Sequence, residues 1–395
     1  MNQRVFLTGS VRTPLGKFGG ALKNFTAADL GEIAGRASIE RSGVDPASVD
    51  ELVAANARQA GTGPNLGRQL VQRTDLPLSV PAYTVNMACG SGMKAVQLAS
   101  ETIRAGNANC VMVIGVEAMS RIPYLLEDAR WGYKLGNSTL HDALYRDGFI
   151  CALSDQHMGM TAESLADEYG IERAESDRYA LESHRRAVGA QERGAFDSRT
   201  TPITLRTRRG ESQLGEDECP RRDTSLQKIA RLPPVFKEGG QVTAGNASAI
   251  ADGAAALLVV SERYATERGI EGAAEVLDFA QAGVQPERMG VGPVPAIAGL
   301  MERLGTDLED FSSIELNEAF AVQVLACLKE LDLPPQRVNP EGGAIALGHP
   351  IGMTGVRMLV ALDHRLEPNQ LGLASMCVNG GMGVATALKS HRGKV

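Results

Sequence analysis

The sequence predicts an α/β protein of two related halves, with a long insertion in the first. Three observations predict it. Short continuous apolar runs alternate with apolar residues at helical spacing. A small-residue turn that opens a helix occurs once in each half. Residues from about 120 to 245 are richer in charge than either flank.

Taken in order, Val5-Phe6-Leu7-Thr8 is a short apolar run, predicting a strand that ends at Gly9. Leu30, Ile33, Ala34 and Ala37 recur at helical spacing before a stop at Gly43. The turn Cys89-Gly90-Ser91-Gly92 precedes Met93, Val96 and Ala99, which mark the next helix. Cys110-Val111-Met112-Val113-Ile114, closed by Gly115, suits a strand buried on both faces. Across 120–245 apolar runs shorten, and Arg206, Arg208 and Arg209 form a basic cluster read as a solvated loop. This stretch is expected to be an insertion between elements of the first sheet. Sheet patterning returns at 254–260, after Asn246-Ala247-Ser248. The division is then 1–268 for the first half, insertion included, and 269–395 for the second. The second half repeats the theme: His349-Pro350-Ile351-Gly352-Met353-Thr354-Gly355 opens a helix, followed by the run 371–377 and Gly380-Gly381. Two such halves would bring their turns together along one seam.

At 395 residues two or three packed units are expected. Hydrophobic residues at 43% and charged residues at 22% are those of a globular chain, and the 44 glycines exceed the average share of about 7%. A net charge of −7 argues against a nucleic-acid partner, while leaving room for a small anion gripped by a local arginine. No run of about 18 apolar residues predicts a membrane span. The start lacks the apolar core of a signal peptide and the tail is no peroxisomal address, so a cytoplasmic location is expected. Six cysteines, at 89, 110, 151, 219, 327 and 377, lack C-x-x-C spacing and fit neither a zinc site nor a disulfide framework.

Cys89 stands at a helix start, where the positive end of the backbone dipole favours a thiolate; its other reading is a buried core thiol. His349, between a glycine-rich turn and a new helix, is either a fixed general base or a hydrogen-bonded structural histidine. Cys377 precedes Val378-Asn379-Gly380-Gly381-Met382-Gly383, whose backbone N–H groups suit an oxyanion, though such a cysteine also serves in a core. Asn317 opens Asn317-Glu318-Ala319-Phe320-Ala321, where a plain N-cap explains it equally well.

Together these blocks resemble the thiolase family, the acetyl-CoA C-acyltransferases, along nearly the whole chain. The similarity runs through the Cys89 segment, Gly115-Val116-Glu117-Ala118-Met119-Ser120, and His157-Met158-Gly159-Met160-Thr161-Ala162-Glu163. It continues in Thr243-Ala244-Gly245-Asn246-Ala247-Ser248, in 317–321, in 342–352 and in 377–383. The resemblance implies a five-layered α-β-α-β-α fold of two related halves with an inserted loop domain, in homodimers or homotetramers. It implies Cys89 as the acylated nucleophile, His349 as its activating base and Cys377 as the acid/base at the α-carbon. Asn317 would hold a water that forms one oxyanion hole with His349; the backbone N–H groups of Cys89 and Asn379 would form the other. His157, Met158 and Ser248 would line the CoA and acyl channel, and Arg221 would grip the 3′-phosphate. Acyl-CoA and CoA are the implied partners, as substrates rather than cofactors, and no metal is required.

The chain departs from the family at Asn379 and Ala249, where glycine is usual. Asparagine tolerates the left-handed region, so Asn379 is expected at positive φ with its N–H toward the thioester. Its side chain should point away from the reacting atoms or line the acyl pocket. Two other readings are a decarboxylating ketoacyl synthase and a thiolase-like carrier without turnover. The first carries histidine or asparagine where Cys377 stands; the second would have lost Cys89, His349 or Cys377.

Overall fold

Buried strands send alternate side chains to opposite faces, so each apolar run feeds two cores. In the first half the strands are β1 (Val5–Arg12), β2 (Glu51–Ala55), β3 (Ala82–Val85), β4 (Cys110–Ala118) and β5 (Ala251–Ser261). In the second they are β6 (Ala274–Gly283), β7 (Phe311–Leu316), β8 (Leu371–Val378) and β9 (Met382–Ser390). The computed structural model describes residues 3–207, 210–270 and 274–391. Met1, Asn2, Arg208 and Arg209 of the basic cluster, and the tail 392–395 lie outside the described residues.

The strand order in the first half is β1-β5-β4-β2-β3, with antiparallel, antiparallel, parallel and parallel neighbours. The second half runs β6-β9-β8-β7, and a parallel bridge from Ile314 to Val338 stands in the fifth place. Order and direction are identical, so the repeat read from the two turns extends to the whole topology. Among the described residues the half-sheets pair edge to edge where Phe6 and Leu7 of β1 meet Glu275 and Ala274 of β6.

Helices α1 (Ala27–Ser42), α2 (Leu66–Arg73) and α3 (Ser91–Arg104) belong to the first half. The connection from β4 to β5 holds α4 (Met158–Tyr169) and α5 (Arg173–Glu192). The second half has α6 (Pro293–Leu304), α7 (Ala321–Glu330) and α8 (Ile351–Arg365). Cys110, Met112, Ile114 and Val116 of β4 face an outer core with Leu30 and Ala34 of α1, while Val111 and Val113 face a central core with Met93, Val356 and Leu359. A third core lies beyond the second half-sheet, under α6 and α7. Outer helices, sheet, the α3–α8 pair, sheet and outer helices make five layers. None of the described helices is long and apolar enough to cross a membrane.

The central layer is thin because α3 and α8 cross on glycine. A Cβ on Gly92 would lie 2.7 Å from Val356 N, and one on Gly355 would lie 2.5 Å from Met93 N. Any side chain there would force the helices apart.

Two local readings need amending. β1 does not end at Gly9: the strand bulges there, with φ 63° and a register shift between Thr8 and Val11, and continues to Arg12. The bulge lets α1 approach, since a Cβ on Gly9 would sit 2.4 Å from Ser38 O. Arg206 lies not in a loop but on a hairpin strand, Ile203–Thr207, exposed and paired with Glu211.

Arg12 at the end of β1 ties the long connection to the sheet. Its guanidinium bonds both oxygens of Asp217, at 2.6 and 2.8 Å, and the same carboxylate accepts the Leu15 N–H at 2.8 Å. Both side chains are almost wholly buried, at 2% and 1% exposure. Removing one partner strands a buried charge, so Arg12→Met is expected to cost about 3–5 kcal/mol. Adding Asp217→Asn should recover part of that in urea unfolding. A double variant no more stable than the single would show that the ion pair is not the source of the loss.

Candidate active site

The turn before α3 is held by its own side chains. Ser91 Oγ accepts the Met87 N–H at 2.8 Å and donates to Ala88 O at 2.7 Å, while Ala88 takes φ 44°. A non-glycine residue at positive φ costs on the order of 1–3 kcal/mol and persists where its surroundings hold it. Cys89 follows, partly exposed, with the backbone N–H groups of Asn379 and of Cys89 itself directed at its sulfur. Burial pushes its thiol up, outweighing the Arg58 guanidinium and the two N–H groups that pull it down. The thiolate expected from the helix start is therefore not the resting form, because dehydration of the sulfur exceeds the help from nearby donors.

His349 precedes α8 as Cys89 precedes α3. Its Nδ1 lies 2.7 Å from Thr354 Oγ, and that hydroxyl donates to Pro350 O at 2.9 Å. With the hydroxyl proton so used, Nδ1–H donates to Thr354 and Nε2 keeps a free lone pair. Nε2 is buried with no partner among the described residues. Burial, with Arg357 and Arg58 adding to it, pushes His349 down to about 3, so the ring is neutral.

Backbone hydrogen bonds stitch the remaining residues around this pair. Asn317 N–H bonds Ser375 O at 2.9 Å, two residues before Cys377 on β8. Ser248 N–H bonds Ala319 O at 2.9 Å, Ala249 N–H bonds Ala344 O at 3.2 Å, and His349 N–H bonds Ala249 O at 2.8 Å. The Asn317 amide is buried, and neither of its polar atoms has a partner among the described residues. Cys377 is buried, and burial followed by the nearby Cys89 pushes it well above the ordinary thiol range.

Asn379 departs from expectation. The positive φ falls on Gly380 (92°) and Gly381 (82°), not on Asn379. Asparagine is thus not there to supply a left-handed turn. Its Nδ2 donates to Gly148 O at 3.0 Å, in the long connection.

His157 caps α4, accepting the Gly159 N–H on Nδ1 at 3.2 Å, and its ring lies 4.5 Å from that of Phe236. Tyr145 and Phe149 extend the aromatic wall, and Phe236 meets Phe320 beyond Ala319. Met158 is buried in the first turn of α4. Arg221 is not joined to these bonds: its side chain is exposed and its backbone N–H is held by His184 Nδ1 at 3.2 Å.

A model of the thiolase N-terminal domain matches residues 5–263, and one of the thiolase C-terminal domain matches 270–390. The chain belongs to the thiolase family. A probable acetyl-CoA acyltransferase of Staphylococcus aureus (strain COL) is 44% identical over 391 residues, 98% of this chain and 100% of that protein. The acetyl-CoA acetyltransferase structure from Syntrophomonas wolfei has a TM-score of 0.96 at 40% identity, covering 98% of this chain and 100% of that one. Human mitochondrial 3-ketoacyl-CoA thiolase in complex with CoA has a TM-score of 0.94 at 38% identity, covering 98% of each chain. This thiolase is accordingly an acyltransferase.

Sequence reasoning assigned no role to several residues that hold the thiolase site together. Glu117 bonds Asn56 Nδ2, the Ala57 and Arg58 N–H groups, and the Gly352 N–H at the start of α8. Glu318, next to Asn317, bonds Tyr179, Ser183, Asn339 and the Ile345 N–H. Both carboxylates stood inside the family blocks, but nothing local marks them as buried. Thr354 lies in the His349 segment, and its effect on His349 depends on helical spacing from 350 to 354. Arg58 carries no motif at all.

Because His349 is neutral when folded but gains a proton near pH 6.5 when unfolded, acid favours the unfolded chain. Stability should therefore fall as pH drops from 6.5 toward 3. Between pH 7 and pH 5 the wild type should lose about 2 kcal/mol more than His349→Asn, since other titrating groups are common to both. Urea unfolding at the two pH values checks this; equal losses would mean that His349 is not held neutral by the fold.

Proposed function

We propose that this thiolase joins two acyl-CoA molecules, preferably acetyl-CoA, into a 3-ketoacyl-CoA and free CoA through a thioester on Cys89, and runs the reverse cleavage at the same site. The observation that carries the reading is the setting of the Cys89 sulfur: two backbone N–H groups reach it, and Cys377 lies near enough to feel its charge. His349 Nε2 and the Asn317 amide, which the thiolase family assigns to the same chemistry, are buried without partners among the described residues.

The resting protonation states order the steps. His349 Nε2 takes the Cys89 proton as sulfur attacks the thioester carbonyl. The N–H groups of Cys89 and Asn379 stabilise the oxyanion. As the carbon–sulfur bond to CoA breaks, Cys377 gives its proton to the leaving thiolate. Cys377, now the thiolate, removes the α-proton of a second acetyl-CoA, whose enolate oxygen is met by His349 and a water held by Asn317. The enolate attacks the Cys89 thioester, and the released Cys89 sulfur regains its proton from His349. No resident cofactor enters this scheme.

His157, Met158 and Ser248 are proposed to line the CoA and acyl channel, with Arg221 gripping the 3′-phosphate. The names of the relatives support acyl-CoA and CoA as ligands. A homodimer or homotetramer is supported by the exposed edge of β3 and by exposed Tyr124, Leu126, Trp131 and Leu135 in the long connection. A cytoplasmic role in fatty acid metabolism accords with the bacterial relatives.

Separating the cysteines tests the scheme. Cys377→Ala should lose condensation by about a hundredfold or more beyond its loss of acyl exchange between Cys89 and CoA. Equal loss of both activities would contradict the division of labour.

A further inference from the structure

An acyl chain on Cys89 would meet a small apolar cluster. Ala57, Met119, Leu144 and Ile351 form it, with Cys89, Phe149 and Ile250 packed against it. Phe149 ends a single wide helical turn, Tyr145–Phe149, in the connection between β4 and β5. The residue before it, Gly148, is buried, and its carbonyl accepts two hydrogen bonds from opposite ends of the sequence. One comes from Arg58 Nη2 at 3.0 Å, the other from Asn379 Nδ2 at 3.0 Å.

Arg58 follows β2 and is only 6% exposed, yet no carboxylate hydrogen-bonds its guanidinium among the described residues. Its Nε is buried without a partner among the described residues and lies under Gly148, where a Cβ would come within 2.5 Å of it. A side chain at 148 would have to displace the Arg58 guanidinium from this position. Asn379 follows β8, and its own N–H points at the Cys89 sulfur. One carbonyl thus links the aromatic wall, the first half-sheet and the strand beside the nucleophile.

We propose that Arg58 and Asn379 clamp Gly148 and so hold Phe149 against the acyl site, restricting this enzyme to short acyl chains. The proposal rests on the thiolase reading above and names the substrate class of the same site. An acetyl or acetoacetyl group fits beside a stationary Phe149. A longer chain needs that ring to withdraw, which strips two donors, one of them charged, from a buried carbonyl. Arg58 and the Asn379 side chain act as positioning residues through Phe149.

The test is the ratio of kcat/KM for thiolysis of acetoacetyl-CoA to that for 3-ketodecanoyl-CoA. It is measured in the full-length wild type, Arg58→Met, Asn379→Gly, the double variant and Phe149→Ala. The wild type should favour the short substrate by about a hundredfold or more, within the range a hydrophobic pocket supplies. Each single variant leaves one donor on Gly148 and should shift the ratio by less than about tenfold. The double variant should shift it by more than the product of the singles, because only then is the carbonyl released. Phe149→Ala should reproduce that shift with both donors in place. The ratio is taken within one preparation, so partial unfolding leaves it unchanged. A wild type that cleaves both chains alike, or a double variant with an unmoved ratio, overturns the clamp and leaves the thiolase reading intact. Failure to cleave any chain length overturns both.

Discussion

The active site depends on how closely two buried helices approach. α3 and α8 fill the layer between the half-sheets, and they cross where Gly92 faces Val356 and Gly355 faces Met93. Neighbouring glycines serve the same end, since a Cβ on Gly352 would lie 2.7 Å from Val116 O and one on Gly115 2.8 Å from Gly352 O. Cys89 stands just before one helix and His349 just before the other. Backbone contact, rather than long side chains, therefore sets their separation, which suits chemistry that tolerates little looseness. The repeated strand order explains why the two turns meet at all: each occupies the equivalent place in its half.

Electrostatics complement that geometry by leaving the reacting groups uncharged. Burial pushes Cys89 and Cys377 up and His349 down, so the site at rest holds two thiols and a neutral imidazole. Neutral groups cost far less to bury than charged ones. Charge arises only as a substrate reacts, and it arises where N–H groups already point. Burial pushes the buried acids Glu117 and Glu318 up as well, against the donors around them. Glu117 and Glu318 each collect several donors from separate segments, and these bonds pin the start of α8 and the loop beside Asn317. A long connection from the first half completes the site, anchored by Arg12 to Asp217 and by Gly148 to Arg58 and Asn379.

What the sequence revealed follows from how local each signal is. The turns before α3 and α8 are short, rich in small residues and flanked by helical spacing, so Cys89 and His349 could be picked out as candidates. The resemblance to thiolases then assigned roles and supplied the five layers. Gly9 misled because an apolar run that meets a glycine looks the same whether the strand ends or bulges, and only Ser38 on α1 decides. Asn379 misled for a related reason: a residue replacing glycine suggests a backbone need, whereas its side chain answers Gly148, far away in sequence. Arg58 was invisible, since its partner lies 90 residues on. The thiolate reading of Cys89 erred because a helix start was visible in sequence and the dehydration around it was not.

The central claim is that the acyl group passes through Cys89. Acetyl-CoA mixed with wild-type protein, acid-quenched and digested, should leave one acetyl group on the peptide containing Cys89 by mass spectrometry, and His349→Asn should leave that peptide unlabelled over the same interval. An acetyl group on Cys377 or another cysteine, with Cys89 bare, would contradict the account.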